Sequence, residues 1–484
     1  MKIIVIKNST PIGELSESAS VIYFNYFDEI EQNSYIQGLI EKENTSSNLF
    51  PVFENLLPEH EQLQLIKARY KIKGSIESLL HLDNIHGSFE FYTKENFKKY
   101  IVSPDKIFSY KDAREEILEQ NYSFPNILSD YTVAIADAKI YPKGLQGSKA
   151  IGISGFQYKF SVSLDKDTKV ISHNEDEDGG YIMKPYSKDN LIYSDDASAY
   201  IPHLLVNEHI FMTLARDFGF NVPYNGIIKH KEDYLYVIKR FDRYHKSKID
   251  HHEILTLLGK KSSLKYSVTA LEAMKKAAEY LSEDEILEMF NFFVFSIIIS
   301  HGDFHAKNIS LIYKTNALAE RNMMLAPNYD ISTIRIYKDT NDDDIGMMVK
   351  NKKRNIKKVD LLWLADKLNI NKADAAKSIE NLGLKFVQEF ENYIDLLPRE
   401  IKALKVLTNR YGYSKPFEEI LRKYYTNRIQ YIDKYLDIGV EEVEEDIWKW
   451  LFMGITGTVN NGHFIYFFFA YGEWNLCSTK INYG

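Results

Sequence analysis

The hydrophobic pattern changes from strand-like segments near the start of the chain to helical spacing near its end. Lys2–Lys7 is a short apolar run that predicts a strand, and residues 11–15 follow a turn as its hairpin partner. Apolar residues at helical spacing then predict a helix over 61–71. These elements indicate a small mixed unit over residues 1–95.

The next part of the chain is predicted to form a sheet with one prominent helix. A helix with an apolar side is expected over 202–218. Short strand-like segments lie at 159–164, 181–184, 226–229 and 235–239, the last continuing into 240–243. This part is assigned to residues 96–245.

Helical spacing dominates beyond residue 250, and the predicted helical region covers 246–440. The segment 283–300 is apolar almost continuously after Met289, which predicts a buried central helix. Amphipathic helices are expected at 360–368, 374–394 and 417–436. The succession of strand-rich and helix-rich parts predicts the α+β fold class.

Residues 441–484 form a tail with an acidic start and an aromatic-rich end. It is predicted to add a strand or two that pack on the helical region, and a flap that binds a partner is the alternative. The apolar run 464–471 would favour aggregation if it were exposed.

The composition is that of a globular protein and narrows the possible functions. Among 484 residues, 60 Lys and Arg against 68 Asp and Glu leave a net charge of −8, which disfavours direct binding to nucleic acid. The single cysteine, Cys477, excludes an internal disulfide and any multi-cysteine metal site. The sequence shows neither a signal peptide nor a membrane-spanning run, so a cytoplasmic protein without a membrane role is expected.

The strongest chemical signal is a polar loop between the buried helix and an apolar strand. Asp303 and Asn308 have the H-x-D-x-x-x-x-N spacing of kinase catalytic loops. There the carboxylate orients an attacking hydroxyl and accepts its proton, and the amide oxygen binds Mg²⁺ held against the ATP phosphates. Asp330 ends the next apolar stretch, where the second metal-binding carboxylate of such kinases lies.

Two other interpretations fit the same loop. Asp303, His305 and Asn308 are residue types that also close turns and cap helices. A metal site of His301, Asp303 and His305 is the second alternative, although no other clustered histidine supports it. The flanking buried helix and apolar strand favour the catalytic interpretation.

Lys184 ends a predicted strand directly before Pro185, as the phosphate-pairing lysine of the V-A-I-K motif does. Glu208, on the helix that follows, is the candidate for the ion pair that positions this lysine. The alternative for Lys184 is a solvated lysine at a strand end. The order of glycine-bearing loop, strand lysine, helix carboxylate, catalytic loop and metal-binding Asp favours the kinase interpretation.

Six segments, in order along the chain, resemble HipA-type serine/threonine kinases, which are toxins of bacterial toxin–antitoxin modules. They are residues 153–159, 181–185, 206–209, 240–243, 302–308 and 325–330. The N-terminal unit, with its segment 51–59, resembles the fused N-terminal subdomain of that family. Each segment alone is a weak signal, and their order makes the match specific.

The resemblance implies a two-lobed, protein-kinase-like fold with a small N-terminal subdomain and a mostly helical C-terminal lobe. It implies ATP and Mg²⁺ as cofactors and phosphorylation of Ser or Thr in a protein such as an aminoacyl-tRNA synthetase. It also implies neutralisation by a helix-turn-helix antitoxin, through which the protein would reach DNA only indirectly. Growth arrest is the expected biological effect.

The resemblance further assigns individual roles. Asp303 would be the catalytic base, Asn308 and Asp330 the metal ligands, and loop 152–159 the cover of the phosphates. In the hinge at 239–242, Phe241 would pack on the adenine. The implied ATP-binding residues are Gly155, Gln157, Lys159, Lys184, Lys239, Phe241, Asp242, His305 and Lys307.

The sequence departs from the family pattern at three places. Gly152 replaces the commoner serine of the phosphate loop, which leaves Ser154 as the candidate for inhibitory autophosphorylation. Lys239 replaces the acidic residue of V-E-R-F-D-R, which puts one ATP contact in doubt. Asp330 is followed by Ile331 rather than Phe-Gly, so an activation switch of the eukaryotic kind is not expected.

Two rival functions stay open at this point. The loop 301–308 also resembles that of aminoglycoside and choline phosphotransferases, although segment 154–159 and the N-terminal unit favour a protein kinase. The other rival is a degenerate kinase that serves as a non-catalytic antitoxin partner. Lys239, Gly152 and the tail motivate it, and the retention of the other motif residues argues against it.

Overall fold

The computed structural model describes most of the chain, with gaps. The described residues are 1–58, 60–72, 74, 76–100, 106–140, 150–151, 158–173, 179–186, 200–337, 343–408, 413–439, 458–460, 463–470 and 473–480. Within them, no helix is both long enough and apolar enough to cross a membrane.

The first sheet is antiparallel, has five strands and occupies the start of the chain. Its strands are β1 (Lys2–Lys7), β2 (Thr10–Ser18), β3 (Val21–Tyr26), β4 (Glu43–Ser46) and β6 (Glu90–Thr93), in the order β4-β3-β2-β1-β6. The β1–β2 turn places Asn8 and Ser9 at φ values of 45° and 58°, as a tight hairpin between twisted strands requires. Ile3, Val5 and Phe24 on one face of the sheet pack with Phe53 into a separate core.

Short helices and one small strand accompany this sheet. They are α1 (Pro51–Glu54), α2 (His60–Tyr70), β5 (Leu82–Asp83) and α3 (Lys94–Phe97), with 3-10 turns at Gln32–Ser34 and Glu77–His81. Pro51 begins α1 because the first helical position needs no backbone N–H donor.

The second sheet has six strands and carries the predicted phosphate-pairing lysine. Its strands are β7 (Thr132–Ala134), β9 (Phe160–Asp165), β10 (Val170–Ser172), β11 (Tyr181–Lys184), β12 (Asn225–His230) and β13 (Asp233–Lys239), in the order β12-β13-β11-β9-β10-β7. The short strand β8 (Ala150–Ile151) pairs instead with β5 of the first unit. Helices α4 (Tyr110–Leu118), α5 (Asp137–Ile140) and α6 (Leu204–Asp217) lie in this part of the chain.

The rest is mainly helical, as the spacing predicted. The helices are α7 (Ile254–Leu257), α8 (Ala270–Ala278), α9 (Glu283–Ile298), α10 (Lys358–Lys367), α11 (Lys372–Leu396), α12 (Arg399–Lys402) and α13 (Phe417–Leu436), with a 3-10 turn at Ser262–Leu264. A capping box of Ser282 and Glu285 begins α9, and its second half is buried from Phe292 onward. This helix is therefore central to the largest core.

Small antiparallel sheets connect these helices. They consist of β14 (Arg243–Tyr244) with β15 (Ser247–Lys248), β16 (His251–Glu253) with β17 (Ser310–Tyr313) and β18 (Met323–Leu325), and β19 (Lys405–Leu407) with β20 (Ser414–Pro416). The strands β16, β17 and β18 flank the predicted catalytic loop, which joins α9 to β17.

The described residues of the tail form three antiparallel strands, one more than the sequence suggested. They are β21 (Thr458–Asn460), β22 (His463–Ala470) and β23 (Glu473–Lys480), and in the described residues they pair with one another. The predicted packing of the tail on the helical region and the alternative of a partner-binding flap stay untested, as do the domain boundaries at 95, 245 and 440.

The expected continuation of a strand through 240–243 is wrong. Strand β13 ends at Lys239, and Arg243 begins a separate two-residue strand. The side chains of Arg240, Asp242 and Arg243 turn instead toward the loop 84–87 of the first unit, which they bind through buried hydrogen bonds.

Candidate active site

One buried ammonium group joins three elements that are far apart in the sequence. Lys184 Nζ at the end of β11 lies 2.7 Å and 2.9 Å from the two carboxylate oxygens of Glu208 on α6. It also donates to Asp330 Oδ1 at 2.8 Å, and Asp330 follows β18. The structure therefore brings together the strand lysine, the helix carboxylate and the later aspartate that the sequence singled out. We call these three residues the lysine triad.

The local sequence explains how the lysine triad is positioned. Strand β11 pairs with β9 and β13, and its register places Lys184 beside Tyr236, whose ring centroid is 5.6 Å from the ammonium. Helix α6 packs on β12 and β13, and Glu208 lies on its buried surface. Asp330 has a φ of 59°, a left-handed conformation that Asp tolerates better than most residues.

The lysine triad places two carboxylates around one ammonium, and burial raises the pKa of Glu208 to about 7. Burial acts to lower the pKa of Lys184, but Asp330 and Glu208 outweigh it and raise this pKa above its usual range. Desolvation likewise acts to raise the pKa of Asp330, but the charges of Lys184 and Lys159 hold it well below its usual range. The Asp330 side chain is 42% exposed, so an ionised carboxylate faces the opening of the site.

The predicted catalytic loop places Asp303 at the surface and Asn308 beneath it. Asp303 is exposed and accepts a hydrogen bond from the hydroxyl of Tyr266. The side-chain oxygen of Asn308 accepts from the backbone N–H of His305 at 2.8 Å, which closes the loop. Gly302 packs closely against Ile334, because a Cβ at this position would lie 2.1 Å from Ile334 Cδ1 and would force that side chain to shift. The turn-closing interpretation of Asn308 is thus correct, and its oxygen retains a second lone pair.

The donor set fits a hard cation better than a transition metal. Mg²⁺ is usually held by one or two carboxylates together with water and phosphate oxygens, and Asp330 and Asn308 offer oxygen atoms of this kind. Within the described residues, no group of three or more His, Cys, Asp or Glu side chains could hold a metal ion. The alternative site of His301, Asp303 and His305 is therefore not formed, and the buried His301 ring packs on Phe304 at 5.3 Å.

His305 and Lys307, which were predicted to contact ATP, both lie buried in the catalytic loop. The His305 ring packs against Tyr266, with centroids 5.1 Å apart. Lys307 Nζ donates to Ser262 Oγ at 3.2 Å and lies 3.6 Å from Glu253 Oε2. Their ATP contacts stay predictions.

The predicted hinge residues form contacts within the protein. Lys239 Nζ donates to the backbone oxygen of Glu116 at 2.8 Å and pairs with the carboxylate of Glu119. The Phe241 ring stacks near Tyr329, with centroids 5.7 Å apart. The adenine contact proposed for Phe241 and the ATP contact proposed for Lys239 are not tested by these positions.

Asp242 belongs to a buried network that we call the hinge clamp: Arg240, Asp242 and Arg243 with the backbone of 84–87. Asp242 accepts from Arg240 Nε at 2.9 Å and from the backbone N–H of Gly87 at 2.8 Å. Burial acts to raise the pKa of Asp242, but the charges of Arg240 and Arg243 hold it well below its usual range. The clamp joins the first unit to the start of the predicted hinge.

The predicted phosphate loop falls mostly outside the described residues. Gly152, Ser154, Gly155 and Gln157 lie there, so their assigned roles stay predictions. Lys159 is described and buried, and its charge acts on Asp330.

Sequence reasoning did not find Tyr266 or the hinge clamp. Tyr266 precedes Asp303 by 37 residues, in a segment with no recognisable motif. The clamp joins residues about 155 positions apart, and its arginines were noticed only as part of a family segment. A local pattern carries no signal for contacts of this range.

Two family models match the chain in sequential order. The model of the HipA N-terminal domain matches residues 3–85, and that of the HipA-like C-terminal domain matches residues 151–390. The second match contains all three residues of the lysine triad and the catalytic loop.

A relative and a solved structure are similar to this chain. A putative kinase of Haemophilus influenzae is 29% identical over 208 residues, which are 40% of this chain and 55% of that protein, so the chain spans about half the length of this curated relative. The HipA structure of Shewanella oneidensis MR-1, in a toxin–antitoxin complex with HipB and operator DNA, has a TM-score of 0.63 at 17% identity, over 92% of this chain and 99% of that one. This likeness in fold confirms the predicted α+β, two-lobed, kinase-like architecture. With both family models matched in order, the chain belongs to the HipA family.

Proposed function

We propose that this protein is an ATP- and Mg²⁺-dependent protein kinase that phosphorylates serine or threonine and acts as a growth-arresting toxin. The observation that carries the proposal is the lysine triad, in which Lys184 contacts Glu208 at 2.7 Å and Asp330 at 2.8 Å. In protein kinases an ion pair between the strand lysine and a helix glutamate, together with the metal-binding aspartate, has to be in place for phosphoryl transfer.

Each residue has a role that follows from its charge and position. Lys184 pairs with phosphate oxygens and is held for this task by Glu208. Asp330 and Asn308 would hold Mg²⁺, which neutralises charge that develops on the phosphate oxygens. Asp303 is exposed, so it can orient the hydroxyl of a large acceptor and accept its proton.

The partners follow from family membership and from the neighbour in fold. The solved HipA structure contains HipB and operator DNA. We infer that a helix-turn-helix antitoxin binds this protein too and carries it to DNA, since a net charge of −8 disfavours direct contact. An aminoacyl-tRNA synthetase in the cytoplasm is the proposed protein substrate, and Ser154 the proposed site of autophosphorylation.

The test is phosphate transfer from γ-labelled ATP in Mg²⁺, with a cell lysate as acceptor mixture. Wild type is expected to label Ser or Thr of a protein, and Asp303→Asn to lose this label by about 10²–10⁴-fold because the base is removed. Equal labelling by both proteins would contradict the site assignment.

Two further results would replace the proposal. Label on a small aminoalcohol, and on no protein, would favour the small-molecule phosphotransferase instead. ATP that raises the melting temperature without any transfer would favour the degenerate kinase.

A further inference from the structure

The contact between Tyr266 and Asp303 affects the choice of the molecule that accepts phosphate. The phenol hydroxyl of Tyr266 donates a hydrogen bond to Asp303 Oδ1. A catalytic base has to lie within hydrogen-bond reach of the hydroxyl whose proton it accepts. The Tyr266 hydroxyl therefore occupies the hydrogen-bonding position at Asp303 Oδ1 that the hydroxyl of an acceptor would need.

The tyrosine ring is held in place by contacts from several segments. It packs edge-on against His305, with centroids 5.1 Å apart, and the ammonium of Lys353 lies 5.7 Å from its centroid. Its backbone segment is anchored as well, because the Ser262 N–H donates to Glu54 Oε2 at 3.0 Å and the Ser267 N–H donates to the backbone oxygen of Leu264 at 3.0 Å. Tyr266 is nevertheless 44% exposed, so its side chain can rotate away without unfolding the segment.

We propose that Tyr266 is an acceptor-site residue that keeps water from Asp303 until the hydroxyl of a protein substrate displaces the phenol. This inference rests on the proposed function and concerns the choice between water and protein as acceptor. Asp303 is exposed, so water would compete for the Oδ1 atom if the phenol of Tyr266 were absent.

The reaction that Tyr266 suppresses is hydrolysis of ATP. In that reaction a water oxygen forms a bond to the γ-phosphorus while the bond between this phosphorus and the bridging oxygen of ADP breaks. The water proton passes to Asp303, and ADP and inorganic phosphate leave. With a protein acceptor, the serine or threonine oxygen takes the place of the water oxygen, and its proton passes to the same carboxylate.

The test compares Tyr266→Phe with wild type in release of inorganic phosphate from ATP and Mg²⁺ without any protein acceptor. The substitution keeps the ring against His305 and removes only the hydroxyl. The expected result is about a tenfold higher kcat for hydrolysis at an unchanged KM for ATP, because a hydrogen bond to a charged group no longer has to be broken. The double variant Tyr266→Phe with Asp303→Asn is expected to lose this gain. Tyr413→Phe, which changes a tyrosine that is 70% exposed and precedes β20, is expected to hydrolyse ATP like wild type.

Three results would overturn the inference. A hydrolysis rate of Tyr266→Phe at or below that of wild type, while protein labelling depends on Asp303, would refute the role of Tyr266 and leave the proposed function intact. Phosphate found on Tyr266 of the wild type by mass spectrometry would make the phenol an acceptor rather than an occupant. Absence of Asp303-dependent hydrolysis and labelling in every variant would remove the proposed function and this inference together.

Discussion

The lysine triad and the hinge clamp are both clusters of oppositely charged side chains, and they differ in how far these side chains are exposed to solvent. In the clamp, the side chains of Arg240 and Asp242 are 1% and 6% exposed, and the guanidinium groups also donate to the backbone oxygens of Asn84, Ile85 and Gly87. In the lysine triad, two carboxylates share one ammonium, and Asp330 is 42% exposed. The clamp forms most of its hydrogen bonds inside the protein, whereas the triad keeps one exposed carboxylate, that of Asp330.

This difference distinguishes a charged cluster that stabilises the fold from one that can take part in a reaction. Both groups lie in segments that resemble the family, so a motif match gives them equal weight. A closed network stabilises the contact between the first unit and the hinge, and a half-open one can bind a cation and phosphate. Burial and the partners of each atom decide which role a charged residue has.

The most direct test of these two roles is to change one aspartate to asparagine in each group. We expect Asp330→Asn to reduce phosphate transfer by at least about 10²-fold, because the exposed carboxylate that is proposed to hold Mg²⁺ is lost. The Lys184–Glu208 pair stays intact, so the unfolding midpoint should stay close to that of wild type. Initial rates with labelled ATP and thermal unfolding of the same samples measure both effects. A variant that loses stability and keeps its rate would reverse the roles of the two groups.

The matching change in the clamp, Asp242→Asn, is expected to lower the free energy of unfolding at pH 7 by about 3–5 kcal/mol, because two buried guanidinium groups lose their countercharge. Urea unfolding measures this loss. Asp366→Asn, a change at an exposed aspartate, is the control and should stay within about 0.5 kcal/mol of wild type. Equal stability of both variants would mean that the clamp does not hold the first unit in place.

Alanine substitutions at two glycines distinguish the cost of backbone strain from the cost of a steric clash at the loop 84–87 of the clamp. Gly87 and Gly38 both have left-handed φ values, 71° and 87°, but a Cβ at Gly87 would lie 2.5 Å from Asp250 Oδ1 and one at Gly38 meets nothing within 4 Å. We expect Gly38→Ala to cost about 1 kcal/mol and Gly87→Ala about 2–3 kcal/mol in free energy of unfolding. Equal costs would show that the loop 84–87 yields without disturbing its contacts.

The smallest expected effect is a pH dependence of the clamp. The folded-state pKa of Asp242 is depressed below the unfolded value of roughly 3.9, so its stabilisation is present above that value and is lost as pH falls toward the folded pKa. The stability difference between wild type and Asp242→Asn should thus shrink by roughly 1 kcal/mol between pH 7 and pH 3. A difference that is independent of pH in urea titrations would contradict the ionised clamp.

Local patterns predicted much of this fold and part of its site. Strand β11 and helix α9 were predicted with ends within two residues of those observed, because apolar spacing records which face of an element is buried. The pairing of Lys184 with Glu208 was predicted from the order of the motifs along the chain. It forms because Lys184 lies on a strand of the second sheet and Glu208 lies on the helix that packs on this sheet. The end of β13 at Lys239 was missed, because Arg240 leaves the strand to reach a loop about 155 residues away in the sequence.

The sequence by itself determined the fold class, the family and the residue types available for phosphoryl transfer, because periodicity and ordered motifs are written in short stretches of chain. The tertiary structure alone decided that the side chain of Asp330 is partly exposed and that of Asp242 buried, and that the hydroxyl of Tyr266 donates a hydrogen bond to Asp303. Exposure, charge balance and hydrogen-bond partners depend on which distant segments the folded chain brings together, and no local pattern contains that information.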